Sequence, residues 1–195
     1  MDTLRARIAR KVKLTRRQKE IVMGSLLGDA HLVATTRGFA FRINHGIAQK
    51  KYVDWKYLEL KNLTNSSPRV CNEKVYYFRS ASHPFFNFLR SEFYRGRVKI
   101  LPNNLDRWIT PLSLAIWFMD DGAKDGRQVR INTQSFSLRE NKRLINILEA
   151  KLGIFATINR DKNKFRLRVK NKSMSRFRKL ILPYLLPGMR YKLSP

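Results

Sequence analysis

The strongest constraint on this chain is an internal repeat, in which similar residues recur at a nearly constant separation. Asp29 and Asp121 lie 92 residues apart, near the front of the two copies. At the tails the separation is 93 residues, for the pairs Arg97 and Arg190, Lys99 and Lys192, and Pro102 and Pro195. Offsets this similar predict one folding unit used twice, with an acid near its front and a lysine near its end.

Hydrophobic spacing and capping signals predict the order α-β-β-α-β-β-α in the first copy, and the repeat implies the same order in the second, where three of the four strands are located from the sequence. The predicted helices of the first copy cover 15–29, 52–63 and 84–94, and its strands cover 31–35, 39–45, 69–71 and 75–80. The predicted helices of the second copy cover 110–121, 137–152 and 175–185, and its strands cover 129–134, 155–159 and 165–169. The fold class is thus α/β in the α+β sense, with two pseudo-symmetric halves and antiparallel sheets.

The two halves are assigned to residues 15–102 and 103–195, after a basic N-terminal arm over 1–14. The first 19 residues fit an organellar transit peptide, an arm lying on phosphates, or the solvated start of the first helix. In the first half the side chains expected to be buried are Val53, Tyr57, Leu58, Phe85, Phe88 and Leu89. The last helix of the second half is expected to be capped by Ser173.

The charge balance points to a polyanionic partner. There are 41 Lys and Arg against 14 Asp and Glu, which gives a formal charge of +27, while 43% of the residues are hydrophobic and can form a core. A compact chain with this charge repels itself unless an anion compensates it. Because the basic residues recur along the whole chain, nucleic acid is favoured over an anionic membrane surface.

Other classes of protein find little support in the composition. No apolar run approaches 18 residues, so we expect no membrane-spanning helix. Cys71 is the only cysteine, which excludes an internal disulfide, and the three histidines form no zinc pattern with it. A bacterial cytoplasm and an organelle are both compatible with these features, and the compartment stays open.

Asp29 and Asp121 each end a predicted helix, where the partly negative carbonyls disfavour a carboxylate. If the two helices pack side by side, the acids meet, and a divalent cation relieves their repulsion. Hard oxygen ligands suit Mg²⁺, and Mn²⁺ is expected to substitute for it. The helix-end carbonyls of Gly28 and Asp120 are candidate further ligands, whereas the Asp120 side chain is assigned a structural or secondary role. The alternative is that each acid is an ordinary surface residue.

Outward-facing polar side chains on the predicted strands form a candidate surface for reading DNA. In the strand over 165–169, basic residues alternate with apolar ones, and similar alternation of outward polar and inward apolar residues occurs in the strands over 129–134 and 39–45. Arginine, asparagine and glutamine can make paired hydrogen bonds to guanine and adenine edges, and acids are nearly absent from these faces. The alternative is a solvated sheet face. The candidate DNA-binding residues are Arg42, Asn44, Arg79, Gln128, Arg130, Asn132, Arg166, Arg168 and Lys170. Tyr76, Tyr77 and Phe78 are expected to lie in the core.

Several segments resemble the LAGLIDADG homing endonuclease family of the single-chain, two-repeat type. The segments over 22–30 and 114–122 resemble its name-giving motif, and 101–105, 110–115, 132–136 and 191–193 resemble its intron-encoded members. Ile116 and Asp120 depart from the small residues of the motif, which leaves glycine-type helix packing in the second copy open. The likeness runs from about Gly24 to Lys192.

The resemblance implies a monomeric, Mg²⁺-dependent endonuclease that cuts a long double-stranded DNA site and leaves short 3′ overhangs. It implies sheets that form a DNA-binding saddle and a central two-helix interface. By motif, Asp29 and Asp121 would bind the metal, Lys99 and Lys192 would be active-site lysines, and Gln134 would lie close to the reaction centre. An RNA-binding intron maturase on the same fold is the main alternative, and a structural ribosome-like protein is a more distant one.

Overall fold

The computed structural model describes residues 3–193, so Met1, Asp2, Ser194 and Pro195, the last of which belongs to the predicted tail repeat, lie outside the described residues. The chain divides into two compact units between Glu92 and Phe93. Each unit contains the predicted succession of helix, two strands, helix, two strands and helix. None of the helices in the described part is long and apolar enough to cross a membrane.

In its described residues the first unit has four α-helices and one four-stranded antiparallel sheet, with the strand order β1-β2-β4-β3. Its second helix begins with a capping box between Thr15 and Gln18, which satisfies the free amides of the first turn. The elements are α1 Leu4–Lys11, α2 Arg16–Leu27, β1 His31–Thr35, β2 Gly38–Gly46, α3 Lys50–Glu59, β3 Arg69–Cys71, β4 Val75–Ser82 and α4 Pro84–Phe93.

The second unit repeats this sheet topology with the order β7-β8-β10-β9. Capping boxes at Thr110 and Ser137 begin its first two long helices, at the two residues where the sequence predicts these helices to start. The elements are β5 Tyr94–Arg95, β6 Val98–Lys99, α5 Pro111–Asp121, β7 Gly122–Asp125, β8 Gln128–Asn132, α6 Leu138–Leu152, β9 Ala156–Asp161, β10 Lys164–Val169 and α7 Asn171–Ile181. A final 3-10 helix covers Pro187–Lys192.

The linker between the two long sequence repeats packs onto the second unit. The amide of Leu101 donates to Glu140 Oε1 at 2.7 Å, and the guanidinium of Arg143 donates to the carbonyls of Leu101, Pro102 and Asn103. Burial acts to raise the pKa of Glu140, but hydrogen bonds from Ser137 and Leu101, together with the charge of Arg143, hold it below its ordinary value. These bonds explain why the compact units separate at residue 92, ten residues before the boundary predicted from the tail motif.

Several predictions about individual elements were wrong. Residues 4–11 form a separate helix, and α2 ends at Leu27, so Asp29 follows the helix and is not part of it. The strand β7 was not expected. The last helix covers Asn171–Ile181, with Lys170 as its N-cap, and Ser173 lies inside it and accepts from the amide of Phe155.

The predicted cores are correct on some faces and wrong on others. Val53 and Leu89 are buried, and Tyr57 and Phe85 are half-buried, but Leu58 and Phe88 are exposed, by 66% and 49%. The core side of α4 is instead formed by Phe86, Leu89 and Phe93. In the second sheet the predicted alternation is confirmed, since Val129, Ile131, Leu167 and Val169 are all buried.

Candidate nucleic-acid interface and metal-binding acids

An acidic residue stands at the end of the first long helix of each repeat. Asp29 follows the C-cap Gly28, whose amide donates to the carbonyl of Gly24, and its side chain is 44% exposed. Asp121 is the last residue of α5 and is half-buried. Its successor Gly122 is the C-cap, and the amide of Gly122 donates to the carbonyl of Phe118. The two acids thus occupy equivalent positions in the two sequence repeats, and each lies beside helix-end carbonyls.

His45 lies near Asp29, and no role was predicted for it from the sequence. Its Nδ1 lies 3.6 Å from Asp29 Oδ2, and its side chain is 3% exposed. Its ring also lies against Tyr52, with the ring centroids 5.2 Å apart. The alternation along β2 turns His45 inward directly after the outward Asn44, and this signal could have placed it beneath the sheet.

The second acid is held by close packing that only glycine allows at the next position. A Cβ on Gly122 would lie 2.1 Å from the ring of Phe118 and 2.4 Å from its carbonyl oxygen. The first repeat has Ala30 at the corresponding place, where its methyl group is buried. The end of α5 is therefore the more tightly constrained of the two helix ends.

The two predicted active-site lysines have different surroundings. Lys192 is 8% exposed, and its Nζ donates to the carbonyls of Met119 and Asp120 at 2.5 and 3.1 Å. It therefore neutralises the negative end of α5 next to Asp121. Lys99 lies in β6, opposite Tyr94, and is only half-buried. The carbonyl of Asp120, predicted from the sequence as a metal ligand, accepts a hydrogen bond from a cationic side chain.

Gln134 lies just beyond β8 and is held by a carboxylate at the end of β9. Its Nε2 donates to Asp161 Oδ2 at 2.9 Å, and Arg166 Nη1 lies 4.0 Å from the same oxygen. The hydrogen bond from Gln134 is the main cause that lowers the pKa of Asp161, and the nearby arginines add to it. Gln134 is thus oriented by an acid that the sequence analysis did not associate with it.

The polar face of the first sheet combines arginines with an aromatic ring. Arg42 of β2 stands directly opposite Arg79 of β4, and Asn44 stands opposite Tyr77. The guanidinium carbon of Arg42 lies 4.6 Å from the centroid of the Tyr77 ring, and Arg69 donates to the Tyr77 hydroxyl at 2.6 Å. Tyr77 was wrongly assigned to the core, whereas Tyr76 and Phe78 are buried as predicted.

The polar face of the second sheet repeats the central arrangement. Arg130 of β8 stands opposite Arg168 of β10, and Asn132 stands opposite Arg166. Besides Arg166, which lies 4.0 Å from Asp161, two candidate residues of this sheet have contacts within the protein: Arg168 Nε lies 3.1 Å from Asp125 Oδ2, and Gln128 donates to the carbonyl of Val169. Lys170 is exposed, directly after β10. The expectation that acids are nearly absent from these faces therefore holds for the first sheet and not for the second.

A short sequence signal unites the two faces. Arg42-Ile43-Asn44 in β2 and Arg130-Ile131-Asn132 in β8 have the same residues, the same inward isoleucine and the same cross-strand arginine partner. Like charges directly opposite each other destabilise a sheet. Their occurrence at equivalent positions of both sheets is typical of a surface that binds an anion.

Comparison with known proteins agrees with this arrangement. Residues 19–177 match the model of the LAGLIDADG DNA endonuclease family. The cytochrome b mRNA maturase bI2 of Saccharomyces cerevisiae is 31% identical over 89% of this chain, which spans about half of that relative, 46% of its length. The solved structure of the homing endonuclease I-WcaI bound to its DNA recognition sequence has a TM-score of 0.85 and 29% identity, covering 95% of this chain and 90% of that one.

A more distant solved structure has the same fold. The complex of I-DmoI with DNA and Mn has a TM-score of 0.58 and 15% identity, and covers 88% of this chain and 99% of that one. The repeated topology, the acid in each repeat and the family match over most of the sequence lead to one conclusion. This chain belongs to the LAGLIDADG DNA endonuclease family.

Proposed function

We propose that this protein is a monomeric, sequence-specific endonuclease that cuts double-stranded DNA on both strands and leaves short 3′ overhangs. The observation that carries the proposal is the opposed arginine pair at the same place in both sheets, Arg42 with Arg79 and Arg130 with Arg168. Phosphates would relieve the repulsion of each pair, and the neighbouring Asn44 and Asn132 are suited to read adenine edges. One chain carries both halves, so we expect no second subunit.

The acids Asp29 and Asp121 would hold the divalent metal. Carboxylate oxygens are hard ligands that suit Mg²⁺, and Mn²⁺ is expected to substitute. When bound, such an ion acts as a Lewis acid and lowers the pKa of a coordinated water. The protein's own contribution is the placement of each acid at a helix end, with the rigid Phe118–Gly122 contact fixing the second one. The presence of Mn in the I-DmoI complex supports a divalent ion in this fold.

Lys192 and Lys99 would stabilise developing negative charge or orient an attacking water near the scissile phosphates. Lys192 is held against the end of α5, so its ammonium is preorganised next to Asp121. Gln134 would assist close to the reaction centre in the orientation that Asp161 gives it. The remaining candidates, Gln128, Arg166 and Lys170, would contact bases and phosphates.

A second candidate function is an RNA-binding intron maturase on the same fold. The observation that favours it is the similarity to the cytochrome b mRNA maturase bI2. Both acids and both lysines are present in this chain, which favours the enzyme because a maturase does not need them.

The two functions are separated by incubating the protein with a randomised duplex DNA library in Mg²⁺ and sequencing the ends that form. An endonuclease produces ends that share one extended sequence and carry 3′ overhangs. A maturase leaves the library intact and binds structured RNA more tightly than duplex DNA at the same salt concentration.

A further inference from the structure

A second basic surface lies on the outer side of α7, the last α-helix of the second unit. Lys172, Arg176 and Lys179 follow one another at helical spacing, so they share one side of the helix, and all three are exposed. The opposite side of the helix is buried and consists of Ser173, Met174, Phe177 and Ile181. The three cations therefore face away from the core of the unit.

This surface is separated from the arginines that are proposed to bind DNA. Helix α7 packs against α5 and β8, and the rings of Phe177 and Phe118 have their centroids 5.3 Å apart. It thus covers the apolar face of the sheet, which carries Ile131, whereas Arg130 and Arg168 stand on the polar face. Because a helix is about 10–12 Å across, a duplex on the polar face does not reach the outer side of α7.

The cations of α7 have no acidic partner in the described part of the chain. No Asp or Glu occurs in the sequence after Asp161, whereas Lys and Arg recur up to Lys192. Among residues 3–193, no carboxylate forms an ion pair with Lys172, Arg176 or Lys179. Like charges at this spacing on a helix repel each other. A polyanion on this side of the unit would relieve the repulsion.

A cleft of about 340 Å³ opens beside two of these cations, between α7, the following 3-10 helix Leu182–Tyr184 and the start of α5. Its described lining residues include none that is acidic, and they are Arg176, Lys179, Tyr184, Leu180, Pro183 and Pro111. Small-ligand sites have volumes of about 300–1,000 Å³, so the cleft has room for one nucleotide. The half-buried ring of Tyr184 offers a face for a base, and the two cations suit its phosphate.

Arg176 is held in place at this cleft. Its Nε donates to the carbonyl of Leu152 at the end of α6. That helix ends at Gly153, whose φ is 63° and where a Cβ would lie 2.8 Å from Arg176 Nε. A glycine therefore allows the end of α6 to approach the guanidinium closely. The terminal nitrogens of Arg176 make no hydrogen bond with residues 3–193, and they are suited to pair with phosphate oxygens.

The aromatic rings of this surface favour RNA over duplex DNA as the polyanion. Besides Tyr184, the half-buried Phe155 lies at the other end of the cationic row, with Lys172 Nζ 3.8 Å from its ring centroid. The bases of a DNA duplex are stacked on one another and do not reach such rings. Loops and bulges of RNA expose unpaired bases, which stack on aromatic side chains.

We propose that the outer side of α7 binds RNA and that the cleft holds an unpaired nucleotide, with its base against Tyr184 and its phosphate between Arg176 and Lys179. The inference adds a second nucleic-acid surface to the proposed cleavage of DNA and rests on residues outside the cutting site. One chain would then hold duplex DNA on its sheets and RNA on α7 at the same time.

The test is binding of a short, labelled oligouridylate to the full chain over a series of salt concentrations. Each phosphate contact with a single strand contributes about 0.7 to the slope of log affinity against log salt concentration. Arg176→Gln with Lys179→Gln should therefore lower the slope by about 1.4. The matched control is Arg139→Gln with Lys142→Gln, two exposed residues with the same spacing on α6, and it should leave the slope nearly unchanged. Binding to duplex DNA should be unaltered in both double variants.

A separate variant tests the contact with the base. Tyr184→Leu keeps an apolar side chain but removes the ring, so affinity for the oligouridylate should fall by about ten-fold without a change in the salt slope. Tyr184→Phe keeps the ring and should bind like the wild type. Thermal unfolding verifies that all variants fold, and Lys179→Gln alone removes one charge while leaving the contact between Arg176 and Leu152 intact.

Four results would overturn the inference. Equal losses in the two double variants would indicate diffuse attraction, and displacement of the oligouridylate by saturating duplex DNA would place the RNA on the sheets. Equal binding of oligodeoxyuridylate would make the cleft a site for any unpaired nucleotide. If only the binding of phosphatidylserine vesicles were lost in Arg176→Gln with Lys179→Gln, the surface would be one for membranes. A wild type that binds the oligouridylate as described but does not bind or cut duplex DNA would contradict the proposed function and leave this inference standing.

Discussion

The two sheets have the same topology and the same central arginine pair, yet they hold their arginines differently. In the first sheet Arg42 and Arg69 lie against the ring of Tyr77, and among the described residues no carboxylate forms an ion pair with either of them. In the second sheet Arg168 pairs with Asp125, and Asp161 lies beside Gln134 and Arg166. An arginine that lies against an aromatic ring keeps its full positive charge. A carboxylate also orients the arginine, but it neutralises part of that charge.

The repeat therefore preserves the scaffold and the charged pair, while the residues that support the arginines differ between the two halves. The lysines show the same division, because Lys192 is buried on helix-end carbonyls and Lys99 is half-buried in a short hairpin. The two halves are thus equivalent in architecture and distinct in detail, and substitutions at matched positions should give unequal effects.

The largest expected effect in this comparison is on the two lysines. Lys99→Met and Lys192→Met should each slow single-turnover cleavage by about 10²-fold, as loss of one electrostatic stabiliser does in other enzymes. Lys192→Met should also lower the free energy of unfolding, because two helix-end carbonyls lose a buried donor. Affinity for duplex DNA should change little in both.

Lys142→Met, at an exposed position of α6, is the matched control and should leave rate and stability unaltered. Unchanged single-turnover rates in both test variants would remove the lysines from the active site. If the variants bound all DNA sequences more weakly, and the slope of log affinity against log salt concentration fell by about one, Lys99 and Lys192 would be phosphate contacts.

The two helix ends also differ in the residue after the acid, which is Ala30 in the first repeat and Gly122 in the second. Gly122→Ala should destabilise the protein by about 1–3 kcal/mol, because the new methyl group overlaps Phe118 and the packed core yields little. Gly46→Ala is the control, since nothing lies within 4 Å of its Cβ position. Denaturant unfolding measures both, and equal stabilities would contradict the tight packing at the end of α5.

A smaller effect is expected where the second sheet holds its arginine with an acid. Asp125→Asn should tighten binding to random duplex DNA and steepen its salt dependence, since Arg168 then has no internal counter-charge at that contact. Asp106→Asn, at an exposed position outside the sheet, should have no such effect. Weaker binding in Asp125→Asn would mean that orientation of Arg168 matters more than its free charge.

The smallest effect concerns pH and is confined to the first unit. Desolvation lowers the pKa of His83, although its hydrogen bond with the Val12 carbonyl opposes this. Because the folded pKa is lower, the neutral ring stabilises the protein above the unfolded value of about 6.5, and this contribution is lost as the pH falls below that value. His83→Gln should show a weaker decline in unfolding free energy between about pH 7.5 and 5.5 than the wild type does. Denaturant unfolding in a series of buffers across this range measures the decline. An identical decline in the wild type and in His83→Gln would contradict the contribution of the neutral His83 ring to stability.

Much of the fold could be predicted because the repeat, the capping residues and the strand alternation are local signals. Thr15, Thr110 and Ser137 begin helices as expected, since their hydroxyl groups satisfy free amides in the next turn. The order of elements in both units follows from these signals. The placement of Asp29 and Asp121 at equivalent helix ends follows from the repeat.

The features that were missed depend on tertiary contacts. Leu58 was expected in the core of α3, but Lys56 is fully buried there, with its ammonium 4.2 Å from the Tyr52 ring. The strand β7 has the sequence Gly-Ala-Lys-Asp, which has little β propensity and becomes a strand through its pairing with β8. The contact of Lys192 with α5 joins residues more than 70 positions apart, and no local pattern encodes it.

Asp29 and Asp121 are the residues that we propose to hold the metal for cutting duplex DNA. The most direct measurement is single-turnover cleavage of a selected target by Asp29→Asn and Asp121→Asn, with Mg²⁺ and with Mn²⁺, alongside binding to the same duplex. Each variant should bind like the wild type and cut neither strand at a measurable rate, because the amide keeps the shape of the carboxylate but not the charge that holds the metal. Full cleavage by either variant would contradict it.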